Sequence, residues 1–295
     1  MRVVGILFLA FSLYAVKPGE TGYNYLKIPV GVYQVILNDS YTAFEDDLLS
    51  FFTNPAVPRT PMTISGEGTK YVGDINLGTF AFGVSEDLSF GAFYLNSGKM
   101  AKIDKEGQYL GEFIANQIAF LVSRGHPLSE NLRIGGNVKL LYQNIDEYSA
   151  WGIAFDFGAF LDRDNLKFGA SLKNIGYEIK PFINKRSILP IAATFGGIWI
   201  PNRYWRLGVG FTSSIDRLFT LSYSILFQPF PILTMGAGFN SLGRDLNTGA
   251  ERDILNGFAF GAILRWKTIR VGYAFVPFGD LGDIHRIGIS YGKRD

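Results

Sequence analysis

Two patterns in the chain could carry chemistry. Gly288-Ile289-Ser290-Tyr291-Gly292 satisfies the G-x-S-x-G spacing that presents a serine nucleophile at a strand-to-helix turn. That chemistry needs a helix after the serine and a histidine further along. Three residues follow Gly292, and both histidines, His126 and His285, precede Ser290, so a final strand with small residues on one face is expected instead. The histidines are far apart and there are 0 cysteines, so neither a metal-ligand cluster nor a disulfide framework is expected, and no cofactor. With no nucleophile, base or metal in a workable arrangement, the chain is read as a non-enzyme. The second pattern is a set of charges on one face of otherwise apolar segments: Arg133, Lys139, Asp156, Lys167, Lys173, Arg206, Arg265 and Arg270. Charges so placed must be hydrated or paired. The 28 basic and 26 acidic residues are interleaved, which leaves no basic face for a nucleic acid.

The segments that hold these charges have a period of two from about Lys70 onward, the signature of strands with two unlike faces. Along Leu132 to Gln143, Leu132, Ile134, Val138, Leu140 and Tyr142 share one face, and Arg133, Asn137, Lys139 and Gln143 the other. Trp151, Ile153, Phe155, Phe157, Ala159 and Leu161 then alternate with Gly152, Ala154, Asp156, Gly158 and Phe160. Leu166, Phe168, Ala170 and Leu172 alternate with Lys167, Gly169, Ser171 and Lys173. Such alternation suits a soluble sandwich, or a membrane barrel with its faces inverted.

Three features select the barrel. Segments of about 9–12 residues match a tilted crossing of a bilayer. Aromatics crowd segment ends, among them Tyr94, Tyr142, Trp151, Trp199, Tyr204 and Trp266, as interfacial girdles require. Many of the 35 glycines fall inside segments, where they let a barrel curve and its interior stay narrow. Arg2 and the apolar run Val3 to Val16, ended by Lys17-Pro18-Gly19-Glu20, read as a signal peptide, too short to span a bilayer.

Short links at 85–87, 125–131, 162–165, 201–203, 228–231 and 266–267 alternate with mostly longer ones at 96–112, 144–150, 175–190, 213–217, 241–254 and 276–283. The short set is expected to be periplasmic. Parity then requires a first strand at 60–66 with a tight return near 67–69, giving about fourteen strands. The expected organisation is a signal peptide over 1–16, a hatch segment over 17–58 and a transmembrane antiparallel β-barrel over 59–295, in a bacterial outer membrane and in contact with its lipid. Helical spacing of Ala43, Phe44, Leu48, Leu49 and Phe52 predicts one or two short helices within 38–52. Phe44, Asp46, Asp47, Phe51, Phe52 and Asn54 are the candidate ligand or hatch contacts. Asp46 and Asp47 are the natural partners of the inward cations, and Phe44, Leu48, Phe51 and Phe52 an apolar surface. Structural pairing is the preferred reading of the inward charges, ahead of substrate recognition.

Leu26-Lys27-Ile28-Pro29-Val30-Gly31, Tyr41-Thr42-Ala43-Phe44-Glu45-Asp46-Asp47 and Asn54-Pro55-Ala56 resemble the N-terminal region of the PorV/PorQ family of FadL-like outer-membrane barrels. Gly135-Gly136-Asn137-Val138-Lys139-Leu140, Ala154-Phe155-Asp156-Phe157-Gly158, Leu172-Lys173-Asn174-Ile175-Gly176, Leu189-Pro190 and Asp283-Ile284-His285-Arg286 continue the family's order to the chain's end. The resemblance implies a fourteen-stranded barrel with an N-terminal hatch. It further implies an accessory role in type IX secretion, with a secretion-system or cargo protein as partner, or transport of fatty acids or other hydrophobic compounds.

Overall fold

The structure, a computed structural model, describes residues 16–17, 20–246, 249 and 251–292. The signal-peptide expectation therefore lies almost wholly outside the described residues. Fourteen antiparallel strands form a closed barrel in which each pairs with its sequence neighbour. They are β1 (Thr63–Lys70), β2 (Asn76–Gly83), β3 (Leu88–Ile103), β4 (Tyr109–Pro127), β5 (Leu132–Ile145), β6 (Tyr148–Arg163), β7 (Leu166–Lys180), β8 (Ala192–Asn202), β9 (Trp205–Ser214), β10 (Arg217–Phe230), β11 (Leu233–Asn240), β12 (Phe258–Trp266), β13 (Ile269–Pro277) and β14 (Asp283–Tyr291). β1 closes on β14 from Ile64↔Tyr291 to Lys70↔His285.

Alternation decides the faces. On β5, Ile134, Val138 and Leu140 are exposed, while Asn137, Lys139 and Gln143 are buried. The apolar face thus points outward, the inverse of a soluble barrel, and the polar face meets a filled lumen. No described helix is long and apolar enough to cross a membrane, so the crossing is made by strands.

Several boundaries differ from expectation. The first strand is Thr63–Lys70 and turns at 71–75, because the pairing with β14 continues through Glu67 to Lys70 where a tight return was expected. The supposed loop 96–112 is mostly strand: β3 and β4 keep pairing out to Ile103↔Tyr109 and project as a two-stranded ribbon. The 144–150 and 213–217 loops shrink to two-residue links, 146–147 and 215–216, the first begun by Asp146 in the left-handed region at φ 55°. Polar residues mark where strands leave the membrane, not where they stop, which is why strand ends were misplaced. The ribbon and the long link at 181–191 lie at the end opposite the barrel's termini, and we assign that end as external.

Residues N-terminal to β1 fill the lumen. The short helix expected inside the barrel is present as α1 (Val32–Leu37), ahead of the 38–52 region, which holds two 3-10 turns, Asn38–Ala43 and Leu48–Phe52. α1 is short and rich in β-branched residues, a poor helix in isolation. It is held by burial of Val32, Val35, Ile36 and Leu37, and by a barrel carboxylate: Glu67 Oε2 accepts the Val32 N–H at 2.7 Å, capping the helix from β1.

From α1 the chain runs around the inner wall and contacts it at glycines. Val32 packs on Gly272 of β13, Ile36 on Gly238 of β11, Asp39 on Gly196 of β8, Thr42 on Gly169 of β7 and Pro55 on Gly135 of β5. A methyl group at Gly169, Gly196 or Gly135 would overlap hatch backbone, which has no rotamer by which to give way. Gly169→Val is accordingly expected to expel the hatch, lowering stability by at least ~1–3 kcal/mol. Gly78→Val, where a Cβ meets nothing within 4 Å, serves as control. Thermal unfolding in detergent and limited proteolysis before residue 60 should separate the two; equal behaviour would refute the account.

Candidate functional site

Three buried apolar clusters lie between hatch and wall, the smallest being Ala56 and Val57 against Phe160 of β6. Tyr23, Tyr25, Leu49, Phe51 and Phe52 pack on Phe93, Leu121 and Leu141 of β3–β5. Val32, Ile36, Leu37, Tyr41 and Phe44 pack on Ile198, Leu226 and Ile263 of the opposite wall. The candidate aromatics are thus divided. Phe44 packs at a tilt against Tyr33 and Tyr41, whereas the Phe51 and Phe52 ring centres lie 4.7 Å apart on the β3 side.

The acidic residues of the hatch face cations at the inner end of the strands. Glu45 pairs with Lys167 at 2.8 Å, a cation that Asp162 shares at 2.6 Å. Asp46 pairs with Arg206 at 3.1 Å, and its carbonyl accepts from Arg270. Asp47 turns inward instead: it accepts the Tyr41 hydroxyl at 2.6 Å and caps Leu49. Asn54 is a clamp, donating to Thr42 O at 2.8 Å and Ala159 O at 3.0 Å and accepting from Ala56 N at 3.0 Å, so two hatch turns and β6 are tied by one amide. Arg133 pairs with Glu86 and Asp87 of the β2–β3 link and donates to Ala56 O at 3.2 Å.

Sequence reasoning missed Arg59, where the hatch leaves the lumen. Its guanidinium donates to Pro55 O, Asp87 O and Ser123 Oγ and lies 5.5 Å from the Phe51 ring centre. Burial, then the nearby Arg133, push its pKa down to about 10. A lone arginine before the first strand carries no periodic signal. Burial raises the Asp47 carboxyl above its ordinary value, against the pull of Arg270 and of its hydrogen bonds from Tyr41 and Leu49. Between the ordinary and the raised value, stability therefore falls as pH rises. Asp47→Asn, which keeps an acceptor for Tyr41, should remove that slope and hold or raise the unfolding midpoint near neutral pH; a lowered midpoint there would contradict it.

The most heavily buried charges lie on β5–β7. Lys139 and Asp156, 5% and 0% exposed, pair at 2.7 Å. Asp156 also accepts from Asn137 at 2.9 Å and Asn174 N at 2.8 Å, and Lys139 donates to Asn174 Oδ1 at 2.8 Å. A bulge makes this possible. Between Phe157↔Leu172 and Phe155↔Ile175, two β7 residues oppose Asp156 alone, with Asn174 at φ 62°. The extra residue lets Lys173 and Asn174, consecutive in sequence, both face the lumen.

Lys173 differs from its neighbours: among the described residues its side chain makes no hydrogen bond or ion pair, and it shares a cavity of about 50 Å³ with Lys139. Tyr25, Leu26, Ile28 and Phe52 of the hatch and Phe93 and Leu121 of the wall supply the apolar lining. Arg265 on β12 likewise has no such partner. Ser290 faces the lumen and accepts from Arg270 Nε at 3.2 Å, with no base beside it, and His285 bonds the Tyr273 hydroxyl at 2.7 Å on the outer face. Asp156→Ala strands a buried ammonium and should cost ~3–5 kcal/mol, whereas Lys173→Met loses no partner and should be neutral or stabilising. Chemical unfolding of the two variants checks this, and similar losses would refute it.

No protein family matches the chain by sequence, and no curated protein does. Solved structures do match in fold. The toluene transporter TodX of Pseudomonas putida aligns over 94% of this chain and 98% of its own, with a TM-score of 0.56 and 11% identity. A FadL homologue of Pseudomonas aeruginosa covers 90% of this chain and 99% of its own, at 0.55 and 12%. The monoaromatic hydrocarbon channel CymD covers 90% and 98%, at 0.57 and 9%. The chain thus has the FadL-like fold of outer-membrane channels, and its closed barrel with an apolar exterior sits in a bacterial outer membrane.

Proposed function

We propose that the protein is a diffusion channel for hydrophobic compounds that carry one anionic group, with the cavity at Lys173 as its binding site. The observation that carries this reading is a lysine with no side-chain hydrogen bond or ion pair, set beside Lys139, Lys27 and Gln34 in a cleft between hatch and wall whose remaining lining is aromatic and aliphatic. Recognition of an amphipath needs apolar walls for a tail and a cationic end for its head, and Lys173 is the lysine there that no carboxylate or amide already occupies. Burying ~200 Å² of tail supplies ~5 kcal/mol, and an ion-paired head adds selectivity. The solved proteins of this fold named above, a toluene transporter and a hydrocarbon channel among them, support the hydrophobic-channel part of this reading. Uptake of an alkyl carboxylate and of the alcohol of equal chain length, compared in cells with and without the protein, tests it. Lys173→Gln should slow the carboxylate about tenfold and spare the alcohol. An equal effect on both would remove the anchor, and unchanged uptake on deletion would remove the channel.

The resemblance to PorV/PorQ favours a second reading, a partner-binding role in protein secretion, and the β3–β4 ribbon is its structural motive. Beyond the barrel this ribbon exposes Ile103, Tyr109 and Leu110 together with two free strand edges. Pull-down from native membranes with the intact chain and with the ribbon shortened at 99–112 tests that role. A partner captured equally by both would exclude the ribbon, and no specific partner would exclude the role.

A further inference from the structure

Five of the six residues of α1 are buried apolar or aromatic side chains: Val32, Tyr33, Val35, Ile36 and Leu37. Gln34 is the sixth, and it lines the cavity that Lys173 also lines from β7. Its amide has a fixed orientation. The Val30 N–H donates to Gln34 Oε1 at 2.8 Å. A backbone N–H can be met only by the oxygen of a side-chain amide, so the Gln34 NH2 group is turned away from Val30. That NH2 group makes no hydrogen bond among the described residues.

The other polar side chains of the cavity are engaged: Lys27 with Asp216, and Lys139 with Asp156 at 2.7 Å and Asn174 Oδ1 at 2.8 Å. Two donor groups remain, the Lys173 ammonium on the wall and the Gln34 amide on the hatch, one charged and one neutral. The rest of the lining is aromatic and aliphatic. A ligand head placed between them must bring acceptors and no donors. An alcohol brings one oxygen and no charge, and leaves one donor unmet. A phosphate monoester brings a second negative charge for which the cavity has no free cation, at the cost of a buried unpaired charge. A carboxylate brings two oxygens and one charge, and a cavity of about 50 Å³ has room for it, since one water-sized group needs ~10–15 Å³. We propose that Gln34 is the second donor for a carboxylate head group, one oxygen taking the Lys173 ammonium and the other the Gln34 amide, and that this pair selects carboxylates among amphipaths. The inference rests on the channel reading and names the head group taken by that same site.

Equilibrium binding to the purified full-length barrel, followed by calorimetry, tests the pair without any transport step. The probes are hexanoate, hexanol and hexyl phosphate, and heat-modifiable migration confirms that each variant is folded. Gln34→Met keeps the side-chain length and removes the amide, and should weaken hexanoate about tenfold while leaving hexanol within about twofold. Gln34→Glu keeps an acceptor for the Val30 N–H but sets a carboxylate beside Lys173, and should weaken hexanoate further with hexanol again unchanged. Equal losses of hexanoate and hexanol in both variants would mean that Gln34 only supports α1, and would overturn the proposal. Hexanoate binding that neither variant alters, or that the unmodified protein lacks, would overturn it as well. Hexyl phosphate held as tightly as hexanoate by the unmodified protein would overturn the choice of carboxylate. Should binding follow the expected pattern while cells with and without the protein take up alkyl carboxylates equally, the channel reading fails alone. Should uptake depend on the protein while Gln34 leaves hexanoate binding unchanged, the donor pair fails alone.

Discussion

The structure depends on backbone meeting backbone inside a narrow tube. A closed barrel of fourteen strands that also encloses the chain N-terminal to β1 leaves no room for a layer of side chains wherever that chain touches the wall. Glycine is the residue that removes the layer. At Gly135, Gly169 and Gly196 the hatch main chain rests where a Cβ would stand, so these positions set the hatch's path around the barrel. The two larger apolar clusters on either side can form only because those contacts fix how far the hatch lies from each wall. α1 shows the dependence: its sequence is a weak helix former, and its stability comes from wall contacts and from the Glu67 cap.

Electrostatics follows from the same geometry. A filled lumen excludes most water, so each inward charge must find a partner or stay at the rim. Lys139, Lys167, Arg133 and Arg206 have partners, and Glu45 and Asp46 provide two of these from the hatch. Lys173, like Arg265 and the buried Arg286, has no side-chain hydrogen bond or ion pair among the described residues, and of these three it is the one that lines the cavity between hatch and wall. Lys173 faces the lumen by the ordinary alternation of β7, and the bulge adds Asn174 beside it, which bonds both Lys139 and Asp156.

Much of the barrel was legible because its periodicity is written residue by residue. Alternation on β5, β6 and β7 identified lumen and exterior, and parity required an even number of strands. What was not legible depends on contacts between distant segments. Strand ends at Ile103, Ile145 and Ser214 are set by continued pairing, which the polar composition of 96–112 or 144–150 concealed. The position of the helix, at Val32–Leu37 and not within 38–52, was hidden because β-branched residues argue against it locally. The pairing of Asp46 with Arg206 spans 160 positions and follows from the closed topology, as does the separation of Phe44 from Phe51 and Phe52. Glu178 and Asp216 had no motif; their partners, Tyr23, Thr21 and Lys27, belong to the N-terminal segment.

The hatch also fixes an order of events in assembly. It precedes β1, yet it is enclosed by a wall completed only when β14, the last strand, joins β1. Between 21–27 at the outer rim and Arg59 at the inner one, the chain passes through the whole length of the lumen. A tube already zipped shut would have to thread that segment through itself, past glycines that leave no clearance. The segment ahead of β1 must therefore wait, laid on an open and curling sheet, while the later strands are added over it. The β1–β14 seam is then the final contact made and the natural first to fail. A chain whose hatch is misplaced meets its penalty at that step, as a barrel that cannot close.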